Sequence, residues 1–248
     1  LEDVYAGTAR FLVGLTKKVF IANIAGKFAE DYLSGDLLKA TTAGVWFGIM
    51  MFAIQIYYDF SGYSDMAIGL GRIFGFHFLE NFNYPYIARS ATEFWRRWHM
   101  SLGQFFRDYV YIPMGGNRRH QLLNLFVVWF LTGFWHGASW NFILWGLWFG
   151  ALIIIEKLFL LKVLKKVPVL SNIYLLFSVL IGWVLFYFTD LTSIKNCLAV
   201  MFGAAGKGFA DASLGILLQN NVFWLILAVA FCLPIVPTVK RFIEERPE

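Results

Sequence analysis

The feature that most constrains this chain is a set of long apolar stretches with almost no charge. A helix that crosses a bilayer needs about 20 consecutive apolar residues. Residues 41–60, 170–188 and 222–239 each meet that requirement, and residues 121–159 form a longer apolar tract. Of all residues 59% are hydrophobic and only 15% are charged, too few to cover a soluble domain. The sequence therefore predicts an all-α polytopic membrane protein and excludes disordered chains, coiled coils and secreted disulfide scaffolds.

Two segments depart from a simple spanning helix. The tract at residues 121–159 is interrupted at residues 136–139 by His-Gly-Ala-Ser, which predicts two helices joined at a turn of small residues. Residues 11–29 are amphipathic and contain two adjacent lysines, which predicts an interfacial or tilted helix. The sequence shows no internal repeat, which counts against a transporter built from inverted halves.

Positive charges predict how the chain is oriented. Residues 89–120 hold six arginines against two acidic residues, and residues 156–166 hold four lysines against one glutamate. The last span is followed by Lys240-Arg241, whereas residues 190–221 carry no net charge. Because basic loops stay on the cytoplasmic side, the three basic segments are predicted to lie inside and residues 190–221 outside. The 121–159 tract must then enter the membrane and return to the same face.

His136 lies at the predicted apex of that tract. The fifteen residues from Gln121 to His136 rise by about 23 Å in a helix. The hydrocarbon core is about 30 Å thick, so His136 is predicted to lie past its midplane. Ionisable residues at that depth are functional candidates. The alternative is a histidine that is hydrogen-bonded to a neighbouring backbone carbonyl.

The segment between residues 59 and 117 is too polar to span a membrane and too aromatic for a solvated loop. Within it Arg96, Arg97 and Arg107 alternate with tryptophan and tyrosine, and His99 lies in its most basic part. This alternation suits aromatic anchoring at the membrane surface. It also suits a pocket for an anionic, partly planar ligand that is held by forked guanidinium groups. A membrane-embedded chain makes base stacking the weaker interpretation, so no nucleic acid partner is expected.

Other motifs do not support a cofactor or metal site. Cys197 and Cys232 lie far apart without metal-ligand spacing, so neither a zinc site nor a disulfide framework is expected. Gly69-Leu70-Gly71 lacks the spacing of the dinucleotide fingerprint and instead predicts close helix packing.

Five ungapped blocks resemble a known family. They are YDFSGYSDMAIG at 58–69, ENFNYPY at 80–86, EFWRRWHMSL at 93–102, FRDYVYIP at 106–113 and GFWHGASWN at 133–141. The chain resembles the C-terminal half to two-thirds of membrane-bound O-acyltransferases, and within them the bacterial branch that acetylates exported polysaccharides. The resemblance runs from about residue 5 to 160, and residues 170–248 are similar only in hydropathy. It implies one membrane-embedded catalytic region over residues 1–248, without the family's N-terminal helices, in which hairpin or re-entrant helices surround a central funnel.

The resemblance also implies an activity. A thioester donor, either coenzyme A or an acyl-carrier protein, would enter from the cytoplasm. The acyl group, for which acetyl is the first candidate, would pass to an exported polysaccharide or to an extracytoplasmic acyltransferase partner. The protein would be a multi-pass protein among the lipids of the bacterial inner membrane, without a bound cofactor or metal.

The resemblance places the family's catalytic histidine at His136 and its second characteristic polar residue at His99. The candidate residues for binding the donor or substrate are Trp95, Arg96, Arg97, Arg107, Trp135, Ser139, Asn141 and Asp59. The arginines would bind donor phosphates or an acidic carrier, and the residues around His136 would position it. Anchoring at the membrane interface is the alternative role for each of these residues.

Three other functions remain open from the sequence. In a proton-coupled transporter or flippase, His136 would serve as a proton relay. An inactive scaffold would only dock an extracytoplasmic partner. Transfer of D-alanyl groups to teichoic acid would use the same chemistry on another acyl group. The missing repeat and the basic aromatic segment argue against the transporter.

Overall fold

The computed structural model describes residues 1–235 and 237–239, and every regular element within them is a helix. The α-helices are α1 (Glu2–Thr16), α2 (Asn23–Leu33), α3 (Thr42–Ile73), α4 (Ala91–Phe94), α5 (Met100–Phe106), α6 (Gln121–His136), α7 (Trp140–Ile155), α8 (Leu161–Leu164), α9 (Pro168–Tyr187), α10 (Leu191–Met201), α11 (Ala212–Asn220) and α12 (Val222–Ala230). Short π-helical segments follow α1, α5 and α7 at Lys17–Ala22, Arg107–Tyr111 and Glu156–Leu160, and single 3-10 turns lie at Leu37–Lys39 and Pro85–Ile87. The all-helical class is confirmed.

Helices α3 and α9 are each long and apolar enough to cross a membrane, and the pair α11 and α12, bent by 69°, would make a third span. Helix α9 agrees with the apolar segment predicted at residues 170–188, and α3 covers all but the first residue of the one predicted at 41–60 and continues beyond it. The prediction of one span over residues 222–239 is wrong, because α12 ends at Ala230. Pro234 follows closely, and proline disfavours helical conformation in the residue before it.

Helices α1 and α3 pack antiparallel at very short range. Gly7 faces Gly69 and Gly14 faces Gly62, so closely that a Cβ on any of the four would overlap the opposite backbone. Small residues allow such an approach between helices in an apolar environment. The close packing predicted for Gly69 is therefore confirmed. Because α1 runs along a helix of spanning length, the arrangement favours the tilted over the interfacial alternative for residues 11–29.

Ion pairs explain why α3 continues into the polar segment. Asp65, only 5% exposed, contacts Arg10 and Lys17, each at 2.6 Å. Lys18 pairs with Asp59 at 2.5 Å. A buried charge is tolerated when it is paired and hydrogen-bonded. The cations within α1 and directly after it therefore neutralise the acidic groups that a spanning helix would otherwise leave unpaired.

Helices α6 and α7 form the predicted hairpin, with the turn at residues 137–139. A Cβ at Gly133 would overlap the backbone of Phe142, and one at Gly146 would overlap the backbone of Trp129. Each helix has 16 residues and is about 24 Å long, shorter than a bilayer core of about 30 Å. The last residue of α6 is His136, which therefore lies at the apex of the hairpin as predicted.

The predicted orientation can be measured with single cysteines at Arg118, Val163 and Lys207, all exposed positions. We expect an impermeant thiol reagent to label Lys207→Cys from outside intact cells. It should label Arg118→Cys and Val163→Cys only after the cytoplasmic face is opened, because basic loops stay inside. The unmodified chain is the control, since its two cysteines are buried.

Labelling of Arg118→Cys from outside would contradict the predicted topology. The third basic segment, Lys240-Arg241, lies outside the described residues.

Candidate active site

His136 lies among aromatic rings at the end of α6. Its ring centroid is 5.0 Å from that of Trp135, 4.9 Å from Trp145 and 5.3 Å from Phe186. The side chain is only partly buried. Among the hydrogen bonds of the described residues there is none to this imidazole, so the alternative of a histidine held by a backbone carbonyl finds no support there.

His99 also lies near the indole of Trp135. It immediately precedes α5 and has a φ of +47°, a left-handed conformation that costs a non-glycine residue about 1–3 kcal/mol. Its ring lies 4.7 Å from Phe60 and 6.0 Å from Trp135. Trp135 therefore contacts both histidines, although they are far apart in the sequence.

Asn81 holds the strained backbone at His99 in place. Its carbonyl oxygen accepts a hydrogen bond from Met100 N at 3.0 Å. Its side-chain oxygen accepts from Ser101 N at 3.2 Å and from Ser101 Oγ at 3.0 Å. Sequence reasoning assigned no role to Asn81, because nothing local links it to residues that follow twenty positions later.

A cavity of about 520 Å³ lies beside His99. Trp95, Arg96, Arg107 and Thr132 also line it. Thr132 is one helical turn before the end of α6, so the cavity extends towards the apex of the hairpin. The indole nitrogen of Trp95 is buried without a hydrogen-bond partner among the described residues. The cavity thus collects four of the predicted site residues around one space.

The arginines predicted for this site differ in their surroundings. Arg96 is exposed and has no ion pair within the described part of the chain. Burial, together with the nearby charge of Arg96, lowers the pKa of Lys157, which does not line the cavity. Arg107 donates to Asp108 at 2.7 Å, and this bond raises the pKa of Arg107.

Two predicted site residues lie in ion pairs outside the cavity lining. Arg97 pairs with Glu93 at 2.8 Å and donates to the carbonyl oxygen of Asn83. Asp59 pairs with Lys18. The structure therefore assembles part of the predicted set around His99 and directs these two residues elsewhere.

Helix α7 contributes two buried polar residues, of which Trp145 contacts His136. Asn141 is fully buried, and neither its amide nitrogen nor its oxygen has a hydrogen-bond partner among the described residues. The indole nitrogen of Trp145, one turn later on the same face, is also buried and unpaired there. Each unpaired buried group costs about 1–3 kcal/mol, which makes both candidates for contacts with a substrate. Ser139 precedes α7 at its N-cap and makes no side-chain capping bond.

No group of three His, Cys, Asp or Glu side chains within residues 1–235 and 237–239 is arranged to hold a metal ion. The side chains at this site are instead imidazole, indole, amide and guanidinium groups, which suit proton transfer and the binding of anions.

Comparison with known proteins adds a family and its relatives. Residues 3–194 match the family model described as MBOAT, membrane-bound O-acyltransferase family. A protein of Azotobacter vinelandii named "Probable alginate O-acetylase AlgI" is 41% identical over 232 residues, 92% of this chain and 46% of that protein. The peptidoglycan O-acetyltransferase of Helicobacter pylori is 37% identical over 219 residues, 86% of this chain and 41% of that protein. The teichoic acid D-alanyltransferase of Bacillus subtilis is 31% identical over 162 residues, 60% of this chain and 40% of that protein.

These matches correct one expectation. The family match extends into residues 170–194, so the prediction that residues 170–248 are similar only in hydropathy is wrong. The last of the five sequence blocks ends at residue 141, and the apolar residues beyond 170 carry no comparable motif. The chain spans less than half the length of each of these relatives.

Proposed function

Because the chain belongs to the membrane-bound O-acyltransferase family, we propose that it transfers an acyl group from a thioester to a hydroxyl of an exported polysaccharide. Acetyl is the first candidate for this acyl group. One observation carries this proposal: two histidines contact the same indole beside a cavity that is lined by two arginines. Acetyl is favoured over D-alanyl because the relatives named as O-acetylases share higher identity over more of the chain.

His136 serves as the general base in this proposal. An imidazole can accept a proton from a hydroxyl near neutral pH and pass it on. The hydroxyl oxygen attacks the thioester carbonyl carbon, and a C–O bond forms as the proton moves to His136. The tetrahedral oxyanion then collapses, the C–S bond breaks, and the leaving thiolate takes the proton from His136. The buried donor groups of Asn141 and Trp145 are candidates to stabilise the oxyanion.

The cavity beside His99 would hold the donor. Coenzyme A and the phosphopantetheine arm of a carrier protein both carry phosphate, which guanidinium groups bind bidentately. Arg96 and Arg107 line this cavity and could bind such a phosphate. His99 would orient the thioester between the cavity and Trp135. In this proposal the donor enters from the cytoplasm and the acceptor from outside, through a central funnel.

The protein would act as a multi-pass protein of the bacterial inner membrane. Its acceptor would be the polysaccharide itself or an extracytoplasmic acyltransferase partner that delivers the acyl group. D-alanyl transfer to teichoic acid is the second candidate, favoured by the 31% identity to the Bacillus subtilis enzyme. Membership of an acyltransferase family argues against the transporter alternative.

We expect His136→Ala to lower acyl transfer by at least about 100-fold while its abundance in the membrane stays near normal, because general base catalysis contributes about 10²–10⁴-fold. The measurement is transfer of labelled acetyl groups to cell-envelope polysaccharide by native membranes that hold the whole protein. His77→Ala is the matched control, since His77 is exposed and lies outside this site. Full activity of a correctly inserted His136→Ala protein would refute the assignment.

We expect His99→Ala to reduce activity partially, mainly by raising the KM for the donor, because His99 lines the cavity whereas His136 lies at the apex of the hairpin. Kinetics with varied acetyl-coenzyme A in the same membranes measure this effect. If His99→Ala abolishes transfer and His136→Ala does not, the two roles are reversed.

We expect Arg96→Lys and Arg107→Lys to raise the donor KM by about tenfold, because a lost hydrogen bond to a charged group costs about 1.5 kcal/mol. Lysine keeps the charge that directs insertion but presents a point charge instead of a fork. Arg97→Lys should have the smallest effect of the three, since Arg97 pairs with Glu93 outside the cavity lining.

Arg72→Lys is the control for these variants, because Arg72 pairs with Asp3 outside the cavity. An unchanged donor KM in all three arginine variants would leave membrane anchoring as their role.

A further inference from the structure

Glu156 is a fully buried carboxylate that the proposed mechanism does not use. It is the first residue after α7. The sequence alone predicts that it is one of the charged residues of a cytoplasmic loop. Moving a carboxylate out of water costs several kcal/mol unless other groups compensate it. Among the described residues it has no ion pair, so its compensation comes from hydrogen bonds.

Four donor groups face the two oxygens of Glu156. Oε1 accepts from Ala91 N at 2.6 Å and from the Tyr174 hydroxyl at 3.3 Å. Oε2 accepts from Thr92 N at 2.8 Å and from Thr92 Oγ1 at 2.6 Å. Three of the four bonds therefore go to the first two residues of α4.

Helix α4 depends on these bonds for its position. Its third N–H, that of Glu93, donates to Ser90 Oγ at 3.0 Å. Side chains thus accept hydrogen bonds from all three N–H groups of its first turn. These groups have no acceptor within the helix itself. A single turn is also far too short to be stable alone. The negative carboxylate at the N-terminus adds a favourable interaction with the helix dipole.

Helix α4 leads directly into the wall of the donor cavity. Thr92 lines this cavity, and so do Trp95 and Arg96, which follow within four residues. The preceding backbone is held separately, because Asn172 donates to the carbonyl oxygens of Ile87 and Ala88 at 3.1 and 2.8 Å. Loss of the Glu156 bonds would therefore release the cavity wall while the segment before it stays attached to α9.

We propose that Glu156 is a positioning residue that sets the shape of the donor cavity by holding the first turn of α4. This inference rests on the proposed function, since it assigns the cavity to the donor. Glu156 touches neither substrate in this proposal and acts through Thr92, Trp95 and Arg96. A carboxylate that only stabilised the fold would change the amount of active protein and leave the donor KM of the surviving molecules as it was.

The test is Glu156→Gln, in which an NH2 group replaces one oxygen and faces an N–H donor. In native membranes that hold the whole protein, donor and acceptor are varied separately, with acetyl-coenzyme A as the donor probe. We expect the donor KM to rise at least about tenfold while the acceptor KM changes less than about twofold. Glu80→Gln is the matched control, because Glu80 pairs with Arg10 outside this cavity, and its donor KM should be unchanged.

Tyr174→Phe provides a second, milder variant. It removes only the 3.3 Å bond to Oε1, and Tyr174 does not line the cavity. We expect a rise of about two- to threefold in the donor KM. If Glu156→Gln does not accumulate in membranes, Tyr174→Phe decides the question alone.

The outcomes separate this inference from the proposed function. Normal acetyl transfer with an unchanged donor KM in both variants would overturn the positioning role and leave the proposed function standing. Equal increases in the donor and acceptor KM would also overturn it. The absence of acyl transfer by the unmodified protein, with any thioester, would overturn the proposed function itself.

Discussion

The close backbone contact between α6 and α7 is the interaction on which the candidate site depends. Gly133 and Gly146 let the two helices approach until no Cβ fits between them. This contact brings the end of α6, with His136, against Trp145 of α7. In an apolar environment, where lipid competes equally for apolar side chains, such packing replaces the hydrophobic effect as the source of helix association. A larger residue at either glycine would separate the histidine from its surroundings.

Buried polar groups in this protein fall into two classes. Asp65 and Glu156 are compensated, the first by two cations and the second by backbone and hydroxyl donors. Both tie distant segments together, α1 to α3 and α4 to the end of α7. Asn141 and the indole nitrogens of Trp95 and Trp145 are unpaired among the described residues. The compensated groups hold helices together, whereas Trp95 lines the cavity and Trp145 contacts His136.

The two histidines differ in how the chain holds them. His136 ends a 16-residue helix in a closely packed hairpin, which would suit the proposed base because a base must stay aligned. His99 sits in a left-handed conformation between two short helices, held by Asn81 and, through α4, by Glu156. A regular helix would thus hold the proposed base, His136, whereas individual hydrogen bonds would hold His99 and the cavity wall beside it. Changes far from His99 can therefore reach the cavity beside it, which we propose holds the donor.

The sequence by itself determined the helical class, the hairpin at residues 121–159 and the position of His136 at its apex, because hydropathy and a small-residue turn are local properties. It also singled out the arginines through their alternation with aromatic residues, and His99 through its place in that basic segment and through the family motifs. Only the tertiary structure decided that Arg97 and Asp59 are held in ion pairs, that α12 ends at Ala230, and that Glu156 is buried. Glu156 meets Ala91 and Thr92 across more than sixty residues of sequence. The residues next to a glutamate in the sequence do not show whether its side chain faces water or is buried against donors of another helix. Only the packing of the chain determines which donors surround it.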